Sequence, residues 1–391
     1  MGWKNKMKSK VLITGGAGFI GNAIISRIHE QYDVVVLDNF SPQIHGDHYE
    51  ESFLYLGIKD KCEIIHGDVC NAEDMAKALQ GVDYVIHLAA ETGTGQSMYE
   101  LNRYTSVNIL GTSNLLESIL KNKFSVKKII LSSSRSVYGE GMYQCEAHGI
   151  VVPNSRVVED MVKKDFEAKC PVCGKDVELV STTADCEIKP ISMYAYTKMA
   201  QEKMLELMCP SMGIDYTIFR YQNVFGPGQS LSNPYTGILS IFSKRLLNNQ
   251  DINIFEDGLE SRDFVHVKDI AAFTVNALEN PKTNGKYLNV GSGESTSVMK
   301  VAETLKSMYG SSSKISVSGD FRIGDIRHNK ADMEDTISCC GFTPYYTFEM
   351  GMKEFSDWVL AEDAKKKIEI DDAFEKSLAE LAATGMILKG K

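Results

Sequence analysis

The sequence predicts an α/β fold, a doubly wound parallel sheet with a smaller lobe attached to it. Three observations support this prediction. Short β-branched runs alternate with helical patterns through the first half of the chain, a glycine-rich loop follows the first run, and the alternation ends near Asn223. Runs of this composition, separated by amphipathic helices, are typical of parallel strands whose crossover helices cover both faces of a sheet.

Six runs in the first half have the composition of buried parallel strands. In chain order they are KVLITG, DVVVLDN, CEIIHGD, VDYVIHLA, KKIILSSS and DYTIFRY. Helical patterns lie between them at residues 22–30, 72–80 and 98–122. This alternation of strand and helix is the reason for predicting a parallel rather than an antiparallel sheet.

The change of pattern near Asn223 predicts the domain organisation. We expect residues 8–222 and 263–291 to form the sheet domain, and residues 223–262 and 292–360 to form the smaller lobe. The remaining residues, 361–391, are charged and then mildly amphipathic, which favours a surface helix in a tail.

Composition excludes several classes of partner. The chain has 391 residues and a formal net charge of −10, which argues against nucleic acid because binding to its phosphates needs clustered Lys and Arg. No apolar run approaches the length of a membrane span, and no secretory apolar region follows the basic amino terminus. A cytoplasmic location is therefore expected.

The loop after the first run is Thr-Gly-Gly-Ala-Gly-Phe-Ile-Gly, with the glycine spacing of a dinucleotide-binding turn. Gly15 makes the tight turn, Gly18 lets the backbone approach a pyrophosphate, and Gly21 packs the helix on the sheet. Asp38 ends the second run, where a carboxylate accepts the ribose hydroxyls and repels a 2′-phosphate. The pattern therefore predicts NAD rather than NADP.

A second group of residues indicates acid–base chemistry. Tyr194 and Lys198 are one helical turn apart, so both project from one face, and Ser134 ends the fifth run. A free tyrosine has a pKa of about 10, but a nearby ammonium and a positive nicotinamide both favour the phenolate. We therefore predict that Tyr194 is a general base and that Ser134 relays or orients the proton of a sugar hydroxyl.

These motifs, in this order, resemble the extended short-chain dehydrogenase/reductase family, and within it the nucleotide-sugar epimerases and dehydratases. The resemblance covers about residues 9–360 and includes GDV at 67–69, HLAA at 87–90, SSSRSVYG at 132–139 and YAYTK at 194–198. It implies the following cofactor-binding residues: Gly15, Gly18, Phe19, Ile20, Gly21, Asp38, Asn39, Asp68, Val69, Leu88, Ala89, Ala90, Asn108, Ser132, Tyr194 and Lys198.

The resemblance also implies a substrate site and a quaternary structure. Asn223 is expected near the sugar diphosphate, and Arg262 and Arg327 are expected on its pyrophosphate. Guanidinium groups suit that role because each forms charge-assisted bidentate bonds with phosphate. Relatives are commonly dimers through two helices of the large domain, so a homodimer is expected.

The choice of reaction depends on where the sequence departs from its relatives. The 4,6-dehydratases of the family carry an Asp-Glu pair directly after the catalytic hydroxyl residue, whereas this chain has Arg135 and Ser136. Decarboxylating relatives tend to need a carboxylate at the position of Ser136. An NAD-dependent nucleotide-sugar 4-epimerase, acting through a transient 4-keto sugar, needs neither.

The identity of the sugar nucleotide stays open at this point. Residues 219–245 are most similar to enzymes described as dTDP-L-rhamnose 4-epimerases, and a UDP-hexose is the other candidate substrate. One alternative keeps the fold but makes the enzyme a 4-keto reductase or a 4,6-dehydratase. Another is a catalytically inactive NAD-binding scaffold, against which the intact Ser134, Tyr194 and Lys198 argue.

The stretch between Ser134 and Tyr194 is much longer than the family usually has. The extra residues, about 141–182, contain Cys145-x-x-His148 and Cys170-x-x-Cys173. Two such pairs have the spacing of a closed, structural zinc site, and the Cys-Gly turn after the second suits a zinc knuckle. Cys186 is a competing fourth ligand in place of His148.

Overall fold

The structure is a computed structural model that describes residues 8–231, 233, 237–368, 379–380, 382–383 and 385–388. Within them the strands are β1 (Lys10–Thr14), β2 (Asp33–Asp38), β3 (Glu63–His66), β4 (Tyr84–His87), β5 (Lys128–Ser134), β6 (Tyr143–Cys145), β7 (Gly149–Val151), β8 (Glu178–Leu179), β9 (Asp215–Tyr221), β10 (Asn223–Phe225), β11 (Ile252–Ile254), β12 (Ser261–Arg262), β13 (Phe264–His266), β14 (Lys286–Val290), β15 (Thr296–Ser297), β16 (Ile315–Val317), β17 (Phe321–Arg322) and β18 (Ile387–Leu388). The α-helices are α1 (Phe19–Ile28), α2 (Pro42–His45), α3 (Phe53–Ile58), α4 (Ala72–Ala78), α5 (Leu101–Tyr104), α6 (Gly111–Asn122), α7 (Val158–Val162), α8 (Met193–Ser211), α9 (Ile238–Leu247), α10 (Val267–Ala277), α11 (Val298–Tyr309), α12 (Glu334–Cys340) and α13 (Phe348–Lys365).

Seven strands form one parallel sheet in the order β14-β9-β5-β4-β1-β2-β3. The chain starts at β1, builds outward to β3, and then returns to add β4 on the other side of β1. This reversal confirms the predicted doubly wound parallel sheet, and each of the six predicted runs contains one of its strands. A reversal of strand order leaves a crevice at the carboxyl ends of the strands, where ligands bind.

The seventh strand, β14, lies outside the six predicted runs. It pairs with β9 at the edge of the sheet, from Lys286 opposite Thr217 to Val290 opposite Tyr221. Only its last three residues are buried, so the segment lacks the continuous apolar character of a central strand. Its strand conformation depends on pairing with β9, which is distant in sequence.

Alternate residues of the central strands enter two separate hydrophobic cores. Val11 and Ile13 of β1 face the core that contains α1 and α10, whereas Leu12 faces the core that contains α4, α6 and α8. Side chains of a strand point alternately to opposite faces. A strand covered on both faces must therefore be apolar throughout, which is why the predicted runs were recognisable.

The helix predicted over residues 98–122 is divided in the structure. Helix α5 ends at Tyr104, a π-helical turn spans Thr105–Leu110, and α6 begins at Gly111. Turns of this kind occur mostly as single widened turns inside α-helices, often near functional sites. The periodicity of the sequence predicts the helix but not the widened turn.

The smaller lobe has its own core. Helices α9, α11 and α13 pack with the two-stranded pairs β11–β16 and β10–β13 around buried side chains that include Phe242, Leu305 and Phe355. The domain boundaries given above stay a prediction. Among the residues that the structure describes, no helix combines the length and apolarity that crossing a membrane requires.

The tail agrees only in part with the surface helix that its pattern favours. Residues 361–365 complete α13, and the short strand β18 pairs antiparallel with β17 of the lobe. Within the amphipathic stretch, residues 379–380 and 382–383 are helical, while residues 374–378, 381 and 384 lie outside the described residues. Pairing with an available strand edge, rather than local amphipathicity, decides the conformation of Ile387 and Leu388.

Candidate active site

The glycine loop between β1 and α1 forms part of a cavity wall. Gly15 has a φ angle of +68°, a conformation that favours glycine, and a Cβ there would lie 2.7 Å from the backbone nitrogen of Ala89. Helix α1 begins directly after the loop, and Phe19 and Ile20 of its first turn line the cavity. The first turn of a helix has N–H groups without intrahelical partners, so the loop offers donors and a positive helix end to a pyrophosphate.

Asp38 lies beside this loop at the end of β2. Its carboxylate accepts backbone N–H bonds from Ala17 at 3.0 Å and from Phe40 at 2.9 Å. Burial raises the pKa of this carboxyl, and the bond from Phe40 acts in the opposite direction. Nearby, the Asn39 amide donates to the carboxylate of Asp68 at 3.2 Å. These residues form the end of the cavity where the adenosine half of NAD is expected.

The cavity has a volume of about 420 Å³ and lies at the point where the strand order reverses. Its lining extends from the acidic residue at the end of β2 to the hydroxyl residue at the end of β5. The predicted residues that line it are Gly15, Gly18, Phe19, Ile20, Gly21, Asp38, Asn39, Asp68, Val69, Leu88, Ala89, Ala90, Ser132, Ser134, Tyr194 and Lys198. A glycine-lined end, an acidic side chain and a hydroxyl-rich end suit the diphosphate, ribose and nicotinamide of NAD.

Asn108 is the one predicted cofactor residue that lies outside this lining, and its contact with NAD stays a prediction. It is fully buried in the π-helical turn. Its amide donates to the carbonyl of Glu91 at 3.1 Å and to the hydroxyl of Thr197 at 2.9 Å, while its oxygen accepts the N–H of Glu91. Asn108 therefore ties the loop after β4 to α8, because its hydrogen-bonding groups are used within the protein.

Ser134 and Tyr194 meet at the opposite end of the cavity. Ser134 is the last residue of β5, and Tyr194 is in the first turn of α8, which is capped by the Ser192 side chain. Both side chains line the cavity there. Burial raises the pKa of Tyr194, and the neighbouring Ser134 hydroxyl acts in the opposite direction. The strand end and the helix start thus bring the predicted base and relay together.

Lys198 lies one turn further along α8 and is almost completely buried. Its Nζ donates to the backbone carbonyl of Ser132 at 2.7 Å. Burial lowers the pKa of Lys198 to about 7, and Glu202 raises it. Burial thus opposes the ammonium form of Lys198, the form that would favour the Tyr194 phenolate.

His87 is a buried residue of the site for which the sequence motif gave no role. It ends β4, and its ring bonds to the hydroxyls of Thr14 at 2.7 Å and Thr112 at 2.9 Å. Burial, with the neighbouring Lys198, lowers the pKa of His87 to about 3. The imidazole is therefore neutral at physiological pH, and it joins β1, β4 and α6 behind the cavity.

Arg103 is a cavity residue that the sequence analysis missed. It lies on α5 and forms ion pairs with Glu91 at 2.9 Å and Glu100 at 3.0 Å. Nothing in the local pattern distinguishes it from an ordinary exposed helical arginine. Its place beside the cavity depends on how α5 docks against the loop after β4.

The three predicted substrate residues lie in the lobe, outside the lining of this cavity. Asn223 begins β10 and is partly exposed. The guanidinium of Arg262 donates to the carboxylate of Asp325 at 3.0 Å and to backbone carbonyls of Ser261 and Ile326, both at 2.9 Å. The positive charge of Arg262 is thus paired with one carboxylate, that of Asp325. The role of Arg262 toward the substrate stays a prediction.

Arg327 departs from the expectation of a guanidinium available to the substrate. Its side chain is fully buried, and its nitrogens donate to three carboxylates: Glu167 at 2.6 and 3.1 Å, Asp257 at 2.7 Å twice, and Glu256 at 3.1 Å. All five N–H donors of an arginine are thereby used. A diphosphate would have to displace these carboxylates, so in this arrangement Arg327 forms a structural ion cluster.

The cysteine pairs of the insertion come together in space. One ligand atom each from Cys145, His148, Cys170 and Cys173 lies within 4.8 Å of the others. Cys186, the competing ligand, is instead buried against Val137 and Tyr138. The structure therefore groups the four residues first predicted and leaves Cys186 out.

Comparison with known proteins agrees with this geometry. The chain matches the family described as "NAD dependent epimerase/dehydratase family" over residues 11–155 and 169–291. A curated dTDP-L-rhamnose 4-epimerase from Burkholderia thailandensis is 37% identical over 363 residues, covering 91% of this chain and 96% of that protein.

Two solved structures have the same fold. A UDP-glucose 4-epimerase from Thermotoga maritima, crystallised with UDP-glucose, is 28% identical with a TM-score of 0.73, covering 90% of this chain and 99% of that one. A UDP-glucuronic acid 4-epimerase from Bacillus cereus, in complex with UDP-glucuronic acid and NAD, is 25% identical with a TM-score of 0.73 and the same two coverages.

Proposed function

The chain belongs to the NAD-dependent epimerase/dehydratase family, and from that premise we propose that it is an NAD-dependent nucleotide-sugar 4-epimerase acting through a transient 4-keto sugar. One observation supports this reaction above all. Ser134, Tyr194 and Lys198 line one end of the cofactor cavity, while Arg135 and Ser136 stand where related dehydratases carry a carboxylate pair. The machinery for oxidation at a hydroxyl carbon is therefore present without the groups for eliminating water.

The residues divide the proton work between them. NAD⁺, when bound, accepts the hydride from C4 of the sugar and later returns it to the opposite face. Tyr194 takes the proton of the C4 hydroxyl through its phenol oxygen and gives it back after the sugar has turned. Ser134 orients the sugar hydroxyl and opposes the rise in the pKa of Tyr194. Lys198 fixes the helix to the strand through the Ser132 carbonyl.

The substrate must stay attached while its sugar rotates. We assign this task to the lobe, with Asn223 near the diphosphate and Arg262 as its cationic contact. Arg327 is left out of this set because three carboxylates already surround it. Since diphosphate binding does not hold the sugar ring, the 4-keto sugar can present either face to the cofactor.

dTDP-L-rhamnose is the first substrate to test, and a UDP-hexose is the second. The first choice rests on the dTDP-L-rhamnose 4-epimerase that is 37% identical and on the similarity of residues 219–245 to such enzymes. The second follows the solved UDP-sugar epimerases of the same fold.

A panel of dTDP- and UDP-sugars tests the proposal. The purified enzyme is incubated with each sugar, the C4 epimers are separated by chromatography, and NADH is followed by its absorbance. Epimer formation without net change in cofactor supports the proposal. A 4-keto reductase consumes one reduced cofactor per turnover, a dehydratase releases a stable 4-keto-6-deoxy sugar, and an inactive scaffold gives no product, so each of these results would replace it.

Three further assignments belong to the proposal. The protein works as a homodimer, it resides in the cytoplasm, and it carries one structural zinc ion in addition to NAD. Size-exclusion chromatography with light scattering tests the first and cell fractionation the second. The zinc ion lies in the insertion, and its ligands are separate from the residues that line the cofactor cavity.

A further inference from the structure

The insertion is a small antiparallel sheet with its own minor core. Strand β6 pairs with β7 and with β8, and the core of this sheet has five buried side chains: Tyr143, Cys145, Ala168, Cys170 and Val177. Met161 and Phe166 of the same insertion pack instead against Phe321. Units with so little apolar content rarely hold a fold unless a metal or disulfide staples them. Two of the five buried side chains are themselves cysteines of the four-ligand cluster.

Two tight turns bring the ligands together. Gly149 and Gly174 follow the two ligand pairs with φ angles of +70° and +72°, values that favour glycine. Cys145 pairs with Gly149 in the β6–β7 hairpin. At the second turn the Gly174 N–H donates to the Cys170 carbonyl at 2.9 Å, and the Cys170 N–H donates to the Lys175 carbonyl at 2.8 Å. Each turn thus directs both of its ligand side chains to one point.

The distances between ligand atoms are those of a tetrahedral zinc site. Zn–S bonds of about 2.3 Å and Zn–N bonds of about 2.0–2.1 Å place two sulfurs about 3.8 Å apart, and a sulfur and a nitrogen about 3.5 Å apart. The Sγ atoms of Cys145 and Cys173 are 3.8 Å apart. His148 Nδ1 lies 3.5 Å from Cys145 Sγ and 3.6 Å from Cys170 Sγ. Disulfide sulfurs would be about 2.05 Å apart, so the spacing fits a metal and not a bridge.

The insertion also reaches into the lobe. The family match is interrupted at residues 156–168, and two side chains from this interval are central to a buried ion cluster. Arg156 forms a bidentate pair with Glu256 at 2.7 and 2.8 Å. Glu167 accepts two bonds from Arg327 and stands three residues before the ligand Cys170. The position of Glu167 therefore depends on the cysteine turn.

The cluster continues to the residue that we assign to the substrate diphosphate. The backbone carbonyl of Arg327 accepts a bond from the Arg262 guanidinium at 3.1 Å. A displacement of Glu167 would remove two of the five side-chain bonds that hold Arg327, and a shift of Arg327 would reach Arg262 through this carbonyl. Glu167 and Arg156 do not line the cofactor cavity, so we expect them to act through these neighbours.

We infer that Cys145, His148, Cys170 and Cys173 bind one zinc ion in a closed structural site, and that this ion holds residues 156–168 so that Glu167 positions Arg327 and, through it, Arg262. Four protein ligands leave no open position for catalysis on the metal. The metal assignment stands on the ligand geometry alone, whereas the effect on substrate rests on the proposed function.

The test uses the full-length protein and two matched variants. Cys173→Ser removes a ligand whose side chain is exposed, so no core packing is lost, and Cys62→Ser is the control at a partly buried cysteine outside the site. Zinc is measured by mass spectrometry and hydrogen exchange is followed in residues 156–168. We expect about one zinc per chain in the wild type and in Cys62→Ser, and a loss of zinc with faster exchange in Cys173→Ser.

The Glu167→Gln variant tests the positioning role of Glu167 separately from zinc binding. This variant should keep its zinc and its NAD affinity, while the KM for the nucleotide sugar rises about tenfold or more and kcat changes little; Glu167→Asp should restore part of the affinity. Wild-type protein that contains no zinc and does not bind added Zn²⁺ would overturn the metal site. Zinc loss without faster exchange, or Glu167→Gln with unchanged KM, would overturn the positioning role. If no nucleotide sugar is converted at all, the proposed function fails, while zinc content and exchange still decide the metal site.

Discussion

The buried Nζ of Lys198 donates a hydrogen bond to the carbonyl oxygen of Ser132 at a distance of 2.7 Å. This bond joins the helix that carries Tyr194 to the strand that carries Ser134. The carbonyl is one of the last of strand β5 before the cavity. Burial lowers the pKa of the Lys198 amine to about 7. The helix of the base and the strand of its relay are therefore joined by Lys198, whose ammonium form is disfavoured by burial.

Replacing Tyr194 by Phe should reduce turnover by about 10²–10⁴-fold, because general acid–base groups contribute on that order and only the phenol oxygen is lost. NAD affinity should stay within a few-fold of the wild type. Single-turnover oxidation and a binding titration measure the two effects. Tyr196→Phe is the matched control, since Tyr196 lies on the same helix but is exposed. Turnover in Tyr194→Phe equal to that of the control would remove Tyr194 from the mechanism.

The wild-type protein should bind NADP roughly 100-fold more weakly than NAD, because juxtaposed like charges cost several kcal/mol and each 1.4 kcal/mol is a factor of about ten. Asp38→Asn keeps the shape of the side chain and removes its charge, so it should narrow this ratio. Asp33→Asn, at the exposed start of the same strand, should leave it unchanged. Titration of each protein with both dinucleotides gives the ratios, and equal wild-type affinities would refute the role of Asp38.

The free energy of unfolding should fall as the pH drops from about 6.5 toward 4, partly because of His87. The pKa of His87 is about 3 in the folded protein and about 6.5 in an unfolded chain. Between these values the unfolded chain binds one more proton, so the stability contributed by neutral His87 is present above pH 6.5 and is lost on acidification.

The measurement is urea unfolding at several pH values in wild type and in His87→Asn. The wild-type slope should be steeper by up to about 1.4 kcal/mol per pH unit, the contribution of one proton. Comparing slopes makes the test independent of any overall loss of stability in the variant. Equal slopes would mean that His87 titrates alike in the folded and unfolded states.

Arg327→Met should lower the free energy of unfolding by about 1–3 kcal/mol, because Glu167 and Asp257, which are part-exposed, lose their cation while buried Glu256 keeps its pair with Arg156. Arg27→Met, at an exposed position of α1, should change it by less than about 0.5 kcal/mol. Denaturant unfolding at neutral pH compares them. If Arg327→Met proves as stable as the control and shows only a higher KM for substrate, Arg327 binds the diphosphate as the family resemblance implies.

Local pattern was enough to predict much of this protein. The run KVLITG, the glycine loop after it and Asp38 predict a strand, a turn and a dinucleotide site within one short segment, because strand and helix periods are local properties. The turn-length spacing of Tyr194 and Lys198 places both on one helix face for the same reason. The four-residue cluster of the insertion was predictable because the members of each of its two pairs are close in the sequence.

Long-range contacts decided the rest. Whether the guanidinium of Arg327 is available to a ligand depends on Glu167, Asp257 and Glu256. These three residues are distant in the sequence and meet Arg327 only in the folded chain. The neutral state of His87 depends on burial behind the cavity, and the strand β14 depends on its partner β9. Spacing along a chain specifies which side chains share a face. It does not specify which distant groups will neutralise, bury or pair with them, and that tertiary environment sets their protonation and their availability to a ligand.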